Sequence, residues 1–278
     1  NITRLGGAGS SRQIGSTMPD LDLPKAMLVA RSAVEAAAAA SLAWFERGVS
    51  VELKSDQTPV TQADRESETA ILSVVRETFP DHAFVGEESG AHAGTAGTRW
   101  IVDPLDGTKG FTRGGRFWGA LVALEDGGDI VAGAMALPAL AETYWAAKGL
   151  GAWMRIADAP PVRLQVSTVS EWGRSTLSFG EPKVLLQPPL LKRVGGLAVS
   201  AQSARCYGDL AGCALVLQAK AEAWIEAGVQ IWDIAALRVL VTEAGGRFTD
   251  FEGRPTHASG NCVASNGLVH DHVLRALG

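Results

Sequence analysis

Apolar residues recur at helical spacing in two early stretches. Between Pro24 and Arg47 an Ala-rich run carries Val34, Leu42, Trp44 and Phe45, with Asp22 placed to cap its start and Gly48 to stop it. That spacing predicts a helix packed against other elements, despite the low complexity of Ala36–Ala40. A second helix is predicted from about Gln62 to Thr78. There Ala63, Ala70, Ile71, Val74 and Val75 keep helical spacing, Pro80 lies just beyond, and Thr61 with Asp64 forms a capping-box pattern. Past Pro80 the period shortens. Ala83–Val85 and Trp100–Val102 are short apolar runs that end in acidic residues or turns. Trp118–Glu125, Ile130–Ala136 and Glu142–Ala146 read as successive antiparallel strands, with turns at Asp126-Gly127-Gly128 and Pro138. After a turn-rich stretch at Ala157–Pro161, helices (Leu210–Ala219, Ile234–Ala244) alternate with strands (Ala223–Glu226, Gly246–Thr249, Cys262–Ser265), the pattern of an α/β half. The expected organisation is a flexible leader (1–20), an N-terminal α+β subdomain (21–158) and a C-terminal α/β subdomain (159–278).

Composition narrows the class. With 46% hydrophobic and 20% charged residues in 278, the chain reads as globular, and its net charge of −5 argues against a nucleic-acid partner. Cys206, Cys213 and Cys262 are an odd set without C-x-x-C, which fits a reducing, cytoplasmic setting and argues against a disulfide framework or structural zinc. No run approaches 18 unbroken apolar residues, so no membrane span is expected.

Three acidic clusters stand at the ends or starts of apolar runs: Gly86-Glu87-Glu88-Ser89, Asp103-Pro104-Leu105-Asp106-Gly107-Thr108, and Trp232-Asp233. Singly each has a plain reading. The glutamates suit a solvated strand end, Asp103–Gly107 suits a type I turn, Asp233 suits an N-cap and Asp64 a capping box. Together they suggest carboxylates converging on a cleft, the cage of oxygens that a hard divalent cation takes. Pro104 stiffens the segment so that Asp103, Asp106 and the Leu105 carbonyl can present oxygens to neighbouring metals. Gly107-Thr108-Lys109 follows with backbone N–H groups suited to an anion. Carboxylates for Mg²⁺ beside N–H groups for phosphate describe a metal-dependent phosphate site. The scattered histidines (His82, His92, His257, His270, His272) read as surface residues and the tryptophans as core, with Trp118 and Trp153 candidates to line the cleft. Nothing near Cys206 predicts a lowered pKa.

The clusters in this order, with Trp100-Ile-Val-Asp103-Pro-Leu-Asp106-Gly-Thr108-Lys-Gly-Phe111, Trp232-Asp233-Ile-Ala-Ala236 and Val241-Thr-Glu-Ala-Gly-Gly246, resemble the inositol monophosphatase superfamily from about Pro24 to Leu277. The resemblance implies a layered α/β sandwich of alternating helix and sheet layers in two subdomains, and a Mg²⁺-dependent phosphomonoesterase acting on a small phosphorylated metabolite. It implies Glu87, Asp103, Asp106, Asp233 and the Leu105 carbonyl as ligands of two or three Mg²⁺ ions, with Mn²⁺ a substitute. It further implies that Thr108 with Glu87 orients the attacking water, that Asp64 holds Thr108, that Glu88 stands behind the ligands, and that the Gly107 and Thr108 amides bind phosphate. A homodimer is expected on the same ground.

Within the superfamily, Arg205-Cys-Tyr207-Gly208-Asp209 is similar to the R-x-x-G-D segment of its histidinol-phosphate phosphatases. A cationic amino alcohol wants carboxylates near its ammonium, and Asp209 and Glu226 are available, with Arg205 either a substrate contact or the partner of Asp209 in a loop-bracing ion pair. Lys109-Gly110 instead resembles nucleotide 3′(2′),5′-bisphosphatases, and Glu226 occupies a place that inositol enzymes also use, so those two substrate classes stay open. So does a catalytically silent binding protein of the same fold.

Overall fold

The structure is a computed structural model that describes residues 21–48, 52–53 and 59–278; the expected leader, 1–20, lies outside them. Asp22 accepts the Lys25 N–H at 3.0 Å and opens helix α1 (Leu23–Arg47), which stops at Gly48. Two antiparallel strands of two residues each, β1 (Glu52–Leu53) and β2 (Pro59–Val60), precede α2 (Gln62–Thr78), whose capping box joins Thr61 and Asp64 as the sequence predicts. Then come β3 (Ala83–Gly86), β4 (Gly90–His92), β5 (Thr98–Asp106), the one-turn α3 (Thr108–Phe111), β6 (Gly119–Asp126), β7 (Asp129–Leu137), β8 (Glu142–Ala147), β9 (Gly151–Ile156) and β10 (Val162–Arg163). These strands form one eight-stranded sheet in the order β10-β9-β8-β7-β6-β5-β3-β4. The remaining elements are β11 (Thr176–Phe179), α4 (Pro182–Leu185), α5 (Leu190–Ser200), β12 (Ser203–Arg205), α6 (Asp209–Leu217), β13 (Ala223–Ala227), α7 (Ile231–Glu243), β14 (Arg247–Thr249), β15 (Asn261–Ser265) and α8 (His270–Leu277). Their strands form a five-stranded mixed sheet, β12-β11-β13-β15-β14.

Period-two alternation sorts the side chains into layers. Along β6, Ala120, Val122 and Leu124 join the core under α1 and α2, while Leu121 and Ala123 join the core built by α6 and α7. Along β13, Trp224 enters that same middle core, and Ala223, Ile225 and Ala227 turn to the opposite face, under α5 and α8. The result is helix, sheet, helix, sheet, helix: the layered α/β sandwich that the sequence implies. Helix α1 has a window of mean hydropathy 1.4, enough by length and composition for a membrane span. Here its small residues Ala26, Ala30, Ala33 and Ala37 are buried against the first sheet, where the absence of bulk lets the helix approach closely.

Two sequence expectations need correction. Asp103–Gly107 is not a type I turn: β5 runs extended to Asp106, with a shift of register against β6 between Asp103 and Asp106. Pro104, without an N–H, suits such an irregularity. The histidines are not all at the surface either. His270 is fully buried between Thr249 and Ser265 (2.9 and 2.8 Å to their hydroxyls), and His257, 5% exposed, lies between Arg238 and Glu125.

Candidate active site

Strands β3 and β5 run parallel in the register Gly86–Val102, so their C-terminal ends reach the same edge of the sheet. The Glu87 N–H donates to the Val102 carbonyl at 3.2 Å, which sets Glu87 beside Asp103. Asp103 is 1% exposed, and its Oδ1 accepts the Leu105 N–H at 2.9 Å. Asp106 Oδ2 accepts the Leu210 N–H at 3.1 Å, tying the start of α6 to β5. Asp233 arrives from α7. It is not the N-cap: Gln230 is, and Asp233 sits three residues in, its Oδ2 accepting the Gln230 N–H at 2.7 Å. Each aspartate thus spends one oxygen on a backbone N–H, and carboxylate oxygens of all three lie within 4.8 Å of one another.

Such a cluster is electrostatically uncompensated. Burial, then the charges of Glu87, Asp106 and Asp233, push the Asp103 carboxyl well above its usual range. Burial, then Asp209 and Asp233, do the same to Asp106, and Asp233 is pushed up to about 6. Among the described residues the clustered donors are all hard oxygens, with no thiolate or imidazole among them. They fit Mg²⁺ or Mn²⁺ and would be a poor cage for a soft metal.

Next to the cluster, Thr108 Oγ1 lies 2.9 Å from the Leu105 carbonyl and 3.2 Å from Asp64 Oδ1. Asp64 divides its work: Oδ2 takes the Thr61 N–H and hydroxyl to cap α2, and Oδ1 reaches Thr108. The cap and the contact to Thr108 are therefore held at once by different oxygens. Burial raises the Asp64 carboxyl as well. Gly107 has φ 83°, a left-handed conformation that a β-carbon would strain, and its Cβ would meet the Phe117 carbonyl at 2.8 Å.

Two adjoining cavities, of about 170 and 310 Å³, open beside these groups. They share Asp106, Lys109, Glu181 and Asp209; the first adds Glu226 and Asp233, the second Glu87, Gly107 and Thr108. Among the described residues, Lys109 is the single basic side chain lining either one. Glu226 accepts the N–H groups of Glu181 and Ala227 at 2.9 Å each, and burial pushes its carboxyl up to about 7. Asp209 is also raised, by burial and then by Glu181, against the pull of Lys109. Arg205 does not line the cavities; it is exposed, its guanidinium on the Ala204 carbonyl, and forms no ion pair with Asp209 among the described residues. Cys206 lines the second cavity with its thiol raised by burial, as its surroundings in the sequence suggest. Trp118 does not line the cleft: it is fully buried against Phe45 and Phe111. Trp153 packs half-buried on the first core, its indole N–H on the Leu150 carbonyl.

Two residues escape the sequence reading. Glu181 lines both cavities while capping α4 through the Lys183 N–H; in Gly180-Glu181-Pro182 it looks like an ordinary turn residue. Glu68, in the middle of α2, looks like a surface glutamate on an amphipathic helix but is 4% exposed and bonded to the segment carrying Glu87 and Glu88. Its i, i+4 spacing from Asp64 was the available signal.

Comparison with known proteins identifies the family. The family model described as the inositol monophosphatase family matches residues 24–278. A histidinol-phosphatase of Mycobacterium tuberculosis is 40% identical over 82% of this chain and 87% of its own length. Another, of Chlorobaculum parvum, is 37% identical over 94% and 97%. The crystal structure of the extragenic suppressor protein suhB from Bartonella henselae superposes with TM-score 0.83 at 31% identity, covering 91% of this chain and 98% of that one. The chain belongs to the inositol monophosphatase family, a metal-dependent family of phosphoric monoester hydrolases.

Proposed function

We propose that the chain hydrolyses L-histidinol phosphate to L-histidinol and phosphate in a Mg²⁺-dependent reaction, with Mn²⁺ a substitute. The observation that carries the metal dependence is the convergence of Asp103, Asp106 and Asp233 oxygens within 4.8 Å, with Lys109 the one basic side chain lining the adjoining cavities among the described residues. The substrate reading is supported by the adjoining wall. Glu226, Asp209 and Glu181 line a cavity with Lys109, and a substrate ammonium there would offset the burial, and after it the carboxylate repulsion, that lifts the first two carboxyls. The relatives named histidinol-phosphatase support the same choice.

In this reading Glu87, Asp103, Asp106, Asp233 and the Leu105 carbonyl hold the cations. A bound divalent cation supplies charge neutralisation at the phosphoryl oxygens and makes water more acidic. Thr108, anchored by Asp64 and Leu105, donates its hydroxyl hydrogen inward and keeps oxygen lone pairs with which, beside Glu87, it orients the attacking water. The Gly107 and Thr108 amides receive the phosphate, and Glu88 supports the ligands from behind. The water oxygen bonds to phosphorus as the ester P–O bond breaks, and a proton of that water ends on the leaving oxygen so that the alcohol departs; no side-chain nucleophile is needed. A homodimer in a cytoplasmic setting belongs to the same reading.

Phosphate release from histidinol phosphate, inositol 1-phosphate, adenosine 3′,5′-bisphosphate and fructose 1,6-bisphosphate tests it. Histidinol phosphate is expected to have the highest kcat/KM, and EDTA to abolish turnover. A desolvated charge-assisted hydrogen bond is worth roughly 1.5–3 kcal/mol, so Glu226→Gln should cost about 10- to 150-fold on histidinol phosphate and much less on p-nitrophenyl phosphate. Preference of the unmutated chain for another substrate overturns the substrate assignment, and full turnover in EDTA overturns the metal dependence.

A further inference from the structure

Segment 86–89, which carries Glu87, is held from two sides. On one, the Glu87 N–H bonds to the Val102 carbonyl of β5. On the other, the Glu68 carboxylate accepts the Glu88 N–H on Oε2 at 2.9 Å and the Ser89 N–H on Oε1 at 2.8 Å. Both bonds are charge-assisted and of the short, strong kind. Gly86 makes the seat: a β-carbon there would stand 2.4 Å from Glu68 Oε2 and 2.5 Å from its carboxyl carbon. Glu68 stands one helical turn beyond Asp64, which reaches Thr108. One buried face of α2 therefore holds both segments that flank the site.

We infer that Glu68 is a positioning residue for Glu87, setting the carboxylate that faces Asp103 and so tuning divalent-cation affinity; this rests on the metal-dependent reading proposed above. A purely structural clamp would be served by a neutral acceptor. A buried carboxylate behind the acidic cluster adds to the negative charge there, which favours the folded state only when cations are bound. Partners that orient metal ligands from behind typically change metal affinity by roughly 10- to 100-fold when replaced.

The test uses the full chain, stripped with EDTA and dialysed, in two variants. Glu68→Gln keeps the shape but turns one end into a donor facing an N–H. Gly86→Ala leaves Glu68 intact and fills its seat. Calorimetric titration with MgCl₂ without substrate gives the midpoint for cation binding, and thermal unfolding of the stripped chain gives its stability; kcat and KM are then measured at each MgCl₂ concentration. Both variants should raise the MgCl₂ midpoint by about 10- to 100-fold, with kcat recovering in excess MgCl₂ and KM for the phosphate monoester unchanged. Variants that unfold at lower temperature yet keep the wild-type midpoint within twofold make Glu68 a structural clamp and overturn the inference. A wild-type chain that shows no response to MgCl₂ sinks the metal reading itself, a separate and visible failure.

Discussion

At the residue scale, Asp233 shares the cost of the site with Asp103 and Asp106, all three raised chiefly by burial. The Asp233 carboxyl is pushed from 3.8 to about 6, chiefly by burial and also by the charge of Glu87. The folded state therefore binds a proton more readily than the unfolded chain, so this group's contribution falls as pH rises from about 4 to about 6 and stays unfavourable above. The difference corresponds to about 3 kcal/mol. Asp233→Asn removes the charge but keeps an acceptor for the Gln230 N–H. The metal-free variant should unfold at a higher temperature than metal-free wild type at pH 7.5, while turnover falls by orders of magnitude; a less stable variant would contradict the electrostatic account. The acidic residues that meet at the site were legible in the sequence because each carboxylate stands at the end of an apolar run or the start of a helix. Glu68 and Glu181 were not, because burial is a property of what packs over a residue, and their neighbours in the chain do not report it.

At the element scale, legibility follows local chemistry. The ends of α1 and α2 were readable because Asp22, Gly48, Thr61 and Asp64 act within four residues of where they sit. Helix α5 was missed: Gly195 and Gly196 weaken its pattern, and the packing of Val194 and Leu197 under the second sheet supplies what propensity does not. The Asp103–Gly107 segment misled for a related reason. Pro and Gly read as a turn, whereas pairing with β6 at Asp103 and again at Asp106 keeps the end of β5 extended. His270 belongs to this scale because it fastens α8 to β14 and β15 through Thr249 and Ser265. Burial, and after it the Arg247 charge, lower its pKa to about 4. The unfolded chain thus takes up this proton first as pH falls below about 6.5, and stability is lost progressively down to about 4. The full span corresponds to roughly 3 kcal/mol. Urea unfolding from pH 7 to pH 4 should show wild type losing about that much relative to His270→Asn; parallel curves would rule the histidine out.

At the scale of the molecule, the cleft draws on both sheets and on the helix layer between them. Glu87, Asp103 and Asp106 come from the first sheet and Asp233 from α7, which packs against both, while Glu226 comes from the second sheet. A cation bridging Asp233 to Asp103 and Asp106 would join parts of the chain more than a hundred residues apart in sequence. Binding to the folded state alone stabilises by about 2.7 kcal/mol at a hundredfold excess over Kd. For a chain of this size that corresponds to a rise in Tm of roughly 5–10 °C. Simple screening of the acidic cluster would also raise Tm, so the discriminating comparison is MgCl₂ against KCl at equal ionic strength. Site binding predicts a shift that sets in near the Kd and then grows with the logarithm of MgCl₂ concentration, that KCl does not reproduce and that Asp103→Asn and Asp233→Asn abolish. Screening predicts equal shifts in both salts, with the asparagine variants merely starting from a higher Tm. A shift that survives loss of Asp233 would mean that the first sheet binds the cation without the second half of the molecule, and the coupling between them would have to be abandoned.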